Sequence, residues 1–351
     1  MKTIVALAGD GIGPEIMASG LEILKTISAI DQLEFTIEDK VFGGAAIDET
    51  GQALPADTLA ACEKADAILL GAIGGPKWQT GSETPEKGLL ALRKSLNLFA
   101  NIRPITILDE LVKFSPIKEE IVKGTDFVVV RELTGGIYFG EPRRLSPEEA
   151  LDTNVYTRKE IERIIRQAFE LAKTRRKKVT SVDKANVLAT SKLWRSIAEE
   201  IATEYPEVTF ENQLVDSVAM KIIQMPTAFD VIVTENLFGD ILSDESSVLA
   251  GSIGVLPSAS HSDNGPSLYE PIHGSAPDIA GENLANPLSM IYSITMMLKQ
   301  SFGYFDSAEK IEQACDQVIA AGIYTPDLGG KYGTKEFTQE VINTLQSTEE
   351  K

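Results

Sequence analysis

The sequence is poor in cysteine, in positive charge and in long apolar runs. Cys62 and Cys315 are its two cysteines, and neither lies in a paired-cysteine metal motif, which disfavours a disulfide framework and favours a reducing cytosol. Lys and Arg total 33 against 52 Asp and Glu, and the resulting net charge of −19 disfavours nucleic-acid binding. No stretch reaches the ~18 apolar residues that a membrane span needs. We therefore expect a soluble, cytoplasmic protein without nucleic-acid or membrane partners.

Short apolar segments alternate with helical patterns along the chain, which predicts an α/β fold. Helices are expected at Gly13–Ile27, around Leu59–Glu63, at Arg158–Arg175 and at Leu193–Glu204. The expected strands are Ile4–Ala8, Glu34–Lys40, Ala67–Leu70, Phe127–Arg131, Lys178–Asp183, Thr209–Val215 and Val231–Glu235.

The chain of 351 residues is longer than a single hydrophobic core usually grows. Since no linker is visible, we expect two interwoven lobes, one formed by residues 1–99 with 251–351 and the other by residues 100–250. The segment from Gly136 to Tyr156 alternates apolar and polar residues. It predicts a hairpin arm that could serve a subunit contact.

Two glycine-containing segments are candidates for ligand-binding loops. Gly9–Glu15 follows the first strand but fails the dinucleotide fingerprint G-x-G-x-x-G, because Pro14 stands where the last glycine is needed. The segment predicts a tight turn, which either lies beside a ligand or has only a structural role. The segment Leu268–Gly281 is dense in small residues and also contains His273 and Asp278. That combination favours a binding loop over a plain turn.

Several acidic and basic residues stand where a site is expected. Asp240 and Asp244 are four residues apart, so on a helix they share one face. They are either ligands of Mg²⁺ or Mn²⁺ or part of a solvated acidic surface. Asp216 follows a strand and suits either a helix N-cap or a site carboxylate. Lys184 also follows a strand and is either a surface lysine or a general base.

Three arginines lie in apolar surroundings, namely Arg93, Arg103 and Arg131. Guanidinium groups bind carboxylates in bidentate fashion. Each arginine alone could be a surface ion-pair partner, but three of them in so acidic a chain suit a di-anionic substrate.

Read together, four segments resemble the β-decarboxylating hydroxyacid dehydrogenases: Gly9–Glu15, Arg131–Gly140, Asn236–Glu245 and His273–Gly281. This family includes the isopropylmalate, isocitrate, homoisocitrate, tartrate and malate dehydrogenases, and nearly the whole chain aligns with it in order. The resemblance implies an isopropylmalate dehydrogenase-like α/β fold of two lobes sharing a large mixed sheet, rather than a standard Rossmann fold. Residues 1–99 with 251–351 would bind the cofactor. Residues 100–250 would bind substrate and metal and form a homodimer.

The resemblance also implies roles for single residues. Arg93, Arg103 and Arg131 would bind the malate carboxylates. Asp216, Asp240 and Asp244 would hold Mg²⁺ or Mn²⁺, with Asp216 also near the substrate. Lys184 would be the base during oxidation and Tyr138 the acid that protonates the enol. Lys184 and Asp216 would come from the partner subunit, so that each site is shared.

The segment Glu86–Arg93 resembles the branch of the family that acts on 3-isopropylmalate, in which Leu89 and Leu90 line an apolar slot for the isopropyl group. An apolar slot excludes a carboxylate, because burying an unpaired charge is costly. Glu86 and Val187 match positions near the isopropyl group and the nicotinamide. The implied reaction is the oxidative decarboxylation of 3-isopropylmalate in leucine biosynthesis. The alternatives are a sister acid of the family or, from another class, a catalytically dead metal- or solute-binding protein.

The resemblance places NAD on the second glycine-containing segment. The implied contacts are His273, Gly274, Ser275, Ala276, Asp278 and Asn286. Asp278 would accept hydrogen bonds from the ribose hydroxyls and repel a 2′-phosphate. NADP-using relatives have Lys-Tyr where this chain has Asp278-Ile279, so NAD is expected.

Overall fold

The computed structural model describes residues 1–349, with side chains through Ser347. The chain forms two compact units, one comprising Met1–Asn97 with Ser252–Lys351 and the other Leu98–Gly251. We call them the first unit and the second unit. Over residues 1–349, no helix has both the length and the apolar content required to cross a membrane.

The predicted α/β fold with a large mixed sheet is confirmed. The strands are β1 (Lys2–Gly9), β2 (Phe35–Asp39), β3 (Ala67–Ala72), β4 (Ala100–Thr106), β5 (Asp126–Glu132), β6 (Arg144–Leu145), β7 (Ala150–Leu151), β8 (Lys178–Asp183), β9 (Thr209–Leu214), β10 (Val231–Thr234), β11 (Pro257–His261) and β12 (Ser267–Pro271). Strands β6 and β7 pair with each other, and the other strands form the sheet regions of the two units, which are described in turn below.

The α-helices follow the expected alternation with the strands. They are α1 (Gly13–Asp31), α2 (Gly43–Thr50), α3 (Ala56–Lys64), α4 (Pro85–Ser95), α5 (Glu119–Val122), α6 (Arg158–Lys173), α7 (Ala189–Ala202), α8 (Val215–Gln224), α9 (Asn236–Ser247), α10 (Leu288–Gln300), α11 (Phe305–Ala320) and α12 (Thr334–Glu349).

The first unit contains strands in the order β2-β1-β3-β12-β11, of which β11 is antiparallel to β12 and the others are parallel. Strand β3 is buried along its whole length, as is usual for a parallel strand covered on both faces. Helix α10 packs on β11 and β12, and α1 packs against α10 and α12. The core of this unit lies between the sheet and these helices.

The second unit contains strands in the order β4-β5-β10-β8-β9, of which β4 is antiparallel to β5 and the others are parallel. Helix α6 covers β5, β10 and β8, and it begins with a capping box formed by Thr157 and Glu160. Its buried side chains recur every three or four residues and form one apolar stripe. They are Ile161, Ile164, Ile165, Ala168, Phe169 and Ala172.

The register of the second unit aligns the ends of its parallel strands. Arg131 of β5 pairs with Thr234 of β10, Thr234 pairs with Val182 of β8, and Val182 pairs with Gln213 of β9. Strand β4 runs the other way and places Asn101 opposite Arg131. Residues that follow β5, β10, β8 and β9 therefore share one edge of the sheet, where α/β proteins commonly bind ligands.

Two segments differ from the sequence prediction. The segment from Leu268 begins as strand β12 rather than as a loop, because Leu268 and Tyr269 are buried and pair with β3 and β11. Gly136–Tyr138 forms a 3₁₀ turn, in which the Gly136 backbone N–H donates to Val155 O at 2.9 Å and bends the chain back. The antiparallel pairing expected in this region is confined to β6 and β7.

Candidate active site

The charged residues singled out in the second unit lie at the carboxyl edge of its sheet. Arg131 is near the end of β5, Asn236 begins α9 after β10, and Lys184 and Asp216 follow β8 and β9. Parallel neighbouring strands bring these residues to one edge although they are distant in sequence.

Arg131 is 2% exposed, and its guanidinium group is held from two directions. Its Nε and Nη2 donate to Asn236 Oδ1 at 3.1 and 2.9 Å, and its Nη1 pairs with Asp240 Oδ1. Asn236 is fixed in turn, since its backbone N–H donates to Tyr156 Oη at 2.8 Å and its Nδ2 donates to Gly135 O at 3.3 Å. These contacts orient the guanidinium in advance of any ligand.

Arg103 is the second buried arginine of this edge. Its Nε donates to Asn101 Oδ1 at 2.7 Å, and its Nη1 donates to Ser243 Oγ at 2.7 Å and to Asp244 Oδ1 at 3.2 Å. Its Nη2 lies 3.7 Å from Asp240 Oδ1. Arg103 and Arg131 therefore share Asp240 as an ion-pair partner.

Tyr138 joins the same network through its hydroxyl group, which donates to Asp240 Oδ2 at 2.8 Å. Burial, reinforced by the negative charge of Asp240, raises the pKa of Tyr138 above its ordinary value, so the phenol keeps its proton at neutral pH. Burial also raises the pKa of Asp244, although the nearby Arg103 opposes the shift. The structure thus brings together five residues predicted from the sequence: Arg103, Arg131, Tyr138, Asp240 and Asp244.

Asp240 and Asp244 provide two carboxylates one helical turn apart on α9, as predicted. Their oxygens are of the kind that Mg²⁺ and Mn²⁺ prefer, and their side chains are 33% and 61% exposed. Across residues 1–349, no group of three or more His, Cys, Asp or Glu side chains could hold a metal ion. The donor set of one chain fits part of a site for a hard cation, to which another carboxylate must be added.

Lys184 and Asp216 form a separate pair. The Lys184 Nζ lies 2.5 Å from Asp216 Oδ1, and this hydrogen bond lowers the pKa of Asp216. Strand β8, which Lys184 follows, lies two strands away from β5, roughly 10 Å at the usual spacing. Val187, in the turn after Lys184, has an apolar side chain that is 63% exposed.

In the first unit, helix α4 presents four of the predicted residues on one face. Glu86, Leu89, Leu90 and Arg93 are spaced by three, four and seven positions, which places them along one stripe of the helix. Both leucines are half-buried, and Arg93 pairs with Glu270 at 3.1 Å. The buried Arg93 Nε makes no hydrogen bond with the described residues, so this guanidinium retains a donor for an anion.

The predicted cofactor-binding residues lie mainly in the loop after β12. Ser275 is buried and its hydroxyl donates to Gly74 O at 2.9 Å, whereas the Asp278 side chain is exposed. Burial lowers the pKa of His273, and its Nε2 has no hydrogen-bond partner among the described residues. A neutral imidazole with a free ring nitrogen and an exposed carboxylate suit a ligand rich in hydroxyl and amine groups.

Three further predicted residues belong to this region. Gly274 has open space beside its Cα, and Ala276 adopts a left-handed backbone conformation with φ +37°. Asn286 is engaged within the chain, since its Nδ2 donates to Asp327 Oδ2 at 3.0 Å and its Oδ1 accepts from the Leu288 backbone N–H at 3.0 Å. Asn286 therefore also fixes the start of α10.

Sequence reasoning missed the polar partners that orient the arginines. Asn101 and Ser243 hold Arg103, Asn236 holds Arg131, and Glu270 holds Arg93. The one available signal was the position of Asn101 and Asn236 beside the strands that carry the arginines. Small polar residues at such positions are common, so this signal is weak.

The comparisons with known proteins agree with this architecture. Residues 3–342 match the family model described as isocitrate/isopropylmalate dehydrogenase. The chain belongs to the isocitrate/isopropylmalate dehydrogenase family. It is therefore a dehydrogenase, as the sequence predicted.

Curated members of this family are closely similar over their full length. A 3-isopropylmalate dehydrogenase of Listeria innocua serovar 6a is 62% identical over 346 residues, which cover 99% of both chains. One of Streptococcus mutans serotype c is 61% identical, over 98% of this chain and 100% of the other. Among solved structures, an isocitrate dehydrogenase from Methylococcus capsulatus is 36% identical with a TM-score of 0.89, covering 99% of this chain and 100% of that one.

Proposed function

We propose that this dehydrogenase catalyses the NAD-dependent oxidative decarboxylation of (2R,3S)-3-isopropylmalate to 4-methyl-2-oxopentanoate and CO₂ in leucine biosynthesis. The observation that carries the proposal is the face of α4 on which the half-buried Leu89 and Leu90 accompany the buried Arg93. An apolar pair beside a guanidinium suits an acid with a branched alkyl substituent. The high identity to 3-isopropylmalate dehydrogenases supports the same substrate.

The arginines would bind the substrate through its two carboxylates. Arg103 and Arg131 are buried and held by Asn101 and Asn236, which leaves little side-chain entropy to be lost on binding. Arg93 would add a third guanidinium through its free Nε donor. The strongly acidic chain would otherwise repel such a di-anion.

Asp240 and Asp244 of one subunit and Asp216 of the other would hold Mg²⁺ or Mn²⁺. The bound cation would lower the pKa of the substrate hydroxyl and stabilise the negative charge that develops as CO₂ leaves. In this chain Asp216 pairs with Lys184. The two side chains therefore lie side by side, and both could enter the site of a partner subunit together.

Lys184 and Tyr138 would move the protons. Lys184 Nζ would accept the proton of the substrate hydroxyl during oxidation, and Tyr138 Oη would donate a proton to carbon after CO₂ is lost. The raised pKa of Tyr138 keeps its proton available for this step. Bound NAD⁺ would supply the hydride acceptor.

The loop from His273 to Asp278, with Asn286, would bind NAD. The exposed Asp278 carboxylate would accept hydrogen bonds from the ribose hydroxyls and repel the 2′-phosphate of NADP. Glu86 and Val187 would lie near the isopropyl group and the nicotinamide. Residues 1–99 with 251–351 would then be the cofactor-binding lobe, and residues 100–250 the substrate and metal lobe.

The enzyme would act as a homodimer in the cytoplasm. The second unit exposes large apolar side chains on α8 and α9, including Met220, which is 59% exposed, and Ile241, which is 56% exposed. Such side chains favour a subunit contact. A dimer built on these helices, with the hairpin of β6 and β7, would let Lys184 and Asp216 complete the site of the other subunit.

A sister activity on isocitrate is the competing proposal, because the isocitrate dehydrogenase from Methylococcus capsulatus has so similar a structure. Homoisocitrate, tartrate and D-malate are further candidates within the same family. The two leucines of α4 disfavour substrates with a third carboxylate, since burying that charge without a partner is costly.

The proposal is tested by measuring NADH formation with 3-isopropylmalate, isocitrate, D-malate and tartrate, each with Mg²⁺ or Mn²⁺ and with EDTA. We expect metal-dependent turnover that is fastest with 3-isopropylmalate and abolished by EDTA. Faster turnover of another acid would overturn the substrate but leave the family chemistry. No turnover of any acid would favour a protein that only binds metal or solute.

A further inference from the structure

Asp10 lies in the first glycine-containing turn and has no role in the proposed reaction. Its side chain is buried, 4% exposed, and accepts three backbone hydrogen bonds. Oδ2 accepts from the N–H groups of Gly44 and Gly74, both at 2.8 Å, and Oδ1 accepts from the N–H of Ala45 at 2.7 Å. One carboxylate thus joins three segments of the first unit that are far apart in sequence.

Two of these donors belong to the start of helix α2. The side chain of the N-cap residue, Phe42, makes no hydrogen bond to the first backbone N–H groups of this helix. Gly44 and Ala45 lie in its first turn. The Asp10 carboxylate therefore caps α2 from another loop, with the favourable interaction that a negative charge has with a helix N-terminus.

The third donor connects Asp10 to the proposed cofactor loop. Gly74 donates its N–H to Asp10, and its carbonyl oxygen accepts from Ser275 Oγ at 2.9 Å. Ser275 O in turn accepts from the Ile12 backbone N–H at 2.8 Å. Gly11, between Asp10 and Ile12, permits this approach, since a Cβ atom there would lie 2.0 Å from Ser275 O.

These bonds close a ring of contacts that runs from Asp10 through Gly74 and Ser275 to Ile12 and back along the chain. We propose that Asp10 is a positioning residue for the cofactor loop, because its carboxylate holds the N–H of Gly74, the residue whose carbonyl oxygen anchors Ser275. The inference rests on the proposed binding of NAD by the His273–Asp278 loop. It adds a buried residue that has no assigned role in the proposed reaction but sets the geometry of that loop.

The Asp10→Asn variant is the direct test, because the amide is the same size but can place only one acceptor oxygen. Its NH₂ group would face a backbone N–H, so at least one of the three hydrogen bonds is lost. The matched control is Asp66→Asn in the same unit, since Asp66 accepts the Thr3 backbone N–H at 2.8 Å and lies outside the ring of contacts. Binding of NADH is measured by fluorescence, without substrate or metal, beside the thermal midpoint of each variant.

We expect Asp10→Asn to weaken NADH binding about tenfold, whereas Asp66→Asn leaves it unchanged even where its thermal midpoint falls. If Asp10→Asn does not fold, Gly74→Ala tests the same ring, since Gly74 has φ +102° and an added Cβ strains its peptide. It should also weaken NADH binding.

Two results would overturn the inference and are distinguishable. If the unaltered protein binds NADH and the folded Asp10→Asn and Gly74→Ala variants bind it equally well, Asp10 has a purely structural role and the proposed function stands. If the unaltered protein binds no NADH, the proposed cofactor is wrong, and the inference that depends on it is wrong as well.

Discussion

The two units hold their proposed functional residues by different means. In the second unit, Arg103 and Arg131 are held by side chains, through ion pairs with Asp240 and Asp244 and through hydrogen bonds that the arginines donate to amide and hydroxyl oxygens. In the first unit, the loop around Ser275 is held mainly by backbone groups, which the Asp10 carboxylate and the glycines bring together. On the proposed function, charged side chains would bind substrate and metal, whereas backbone contacts would set the position of the cofactor loop.

The largest expected effect concerns Lys184 in the second unit. Lys184→Met removes the proposed base, so kcat for NADH formation should fall by about 10²- to 10⁴-fold, the usual contribution of a positioned base. The control is Lys178→Met, because Lys178 begins the strand that Lys184 follows and also pairs with a carboxylate, Glu211, at 3.0 Å. Near-normal turnover of Lys184→Met would contradict the assigned role.

Arg131→Lys keeps the charge but removes the planar group that Asn236 and Asp240 hold. We expect the KM for 3-isopropylmalate to rise about 10- to 100-fold, with NADH binding unchanged, since charge-assisted hydrogen bonds are lost. Steady-state kinetics with varied substrate provide the measurement. Arg166→Lys is the control, because Arg166 makes a two-point contact with Glu204 on the exposed surface. An unchanged KM in Arg131→Lys would show that this guanidinium does not bind the substrate.

In the cofactor loop, Asp278→Lys replaces a negative charge, which repels the 2′-phosphate of NADP, by a positive charge, which attracts it. The ratio of kcat/KM for NADP over NAD should rise by about tenfold or more; adding Ile279→Tyr should enlarge the change. Glu282→Lys, also exposed and four residues further along, controls for the general gain of positive charge. If both variants alter the ratio equally, Asp278 has no specific contact with the ribose.

The smallest expected effect concerns the apolar face of α4. Leu89→Ala should lower the preference for 3-isopropylmalate over D-malate about threefold to tenfold, because the contacts of two methyl groups and one methine are lost at a half-buried position. The preference is measured as the ratio of kcat/KM for the two acids. Lys87→Ala, on the exposed side of the same helix, should leave it unchanged. An unchanged preference in Leu89→Ala as well would remove Leu89 from the isopropyl slot.

Much of the fold could be predicted because its central strands are continuous apolar runs. Strand β5, with Val128, Val129 and Val130, is such a run and was predicted. Strand β4 was not predicted, because Asn101, Arg103 and Pro104 interrupt its apolar pattern, and its burial comes from tertiary contacts. Strand β11 was missed for a similar reason, since it consists largely of small and polar residues.

The kinds of residues in the candidate site could be predicted from the sequence, but their contacts could not. Carboxylates and arginines after strands indicate a charged edge in an α/β fold. The bond from Arg131 to Asn236 joins residues 105 positions apart, and the bond from Gly74 to Asp10 joins residues 64 positions apart. Local patterns carry no information on such pairs, because the register of the sheet and the path of the loops bring them together.

The most direct test of the central claim is to quantify the products of one reaction with 3-isopropylmalate, NAD and Mg²⁺. Oxidation followed by decarboxylation predicts equal amounts of NADH, CO₂ and 4-methyl-2-oxopentanoate, measured by absorbance, trapped carbonate and mass spectrometry. NADH without CO₂ would contradict decarboxylation by this site, and absence of all three products would contradict the proposed substrate.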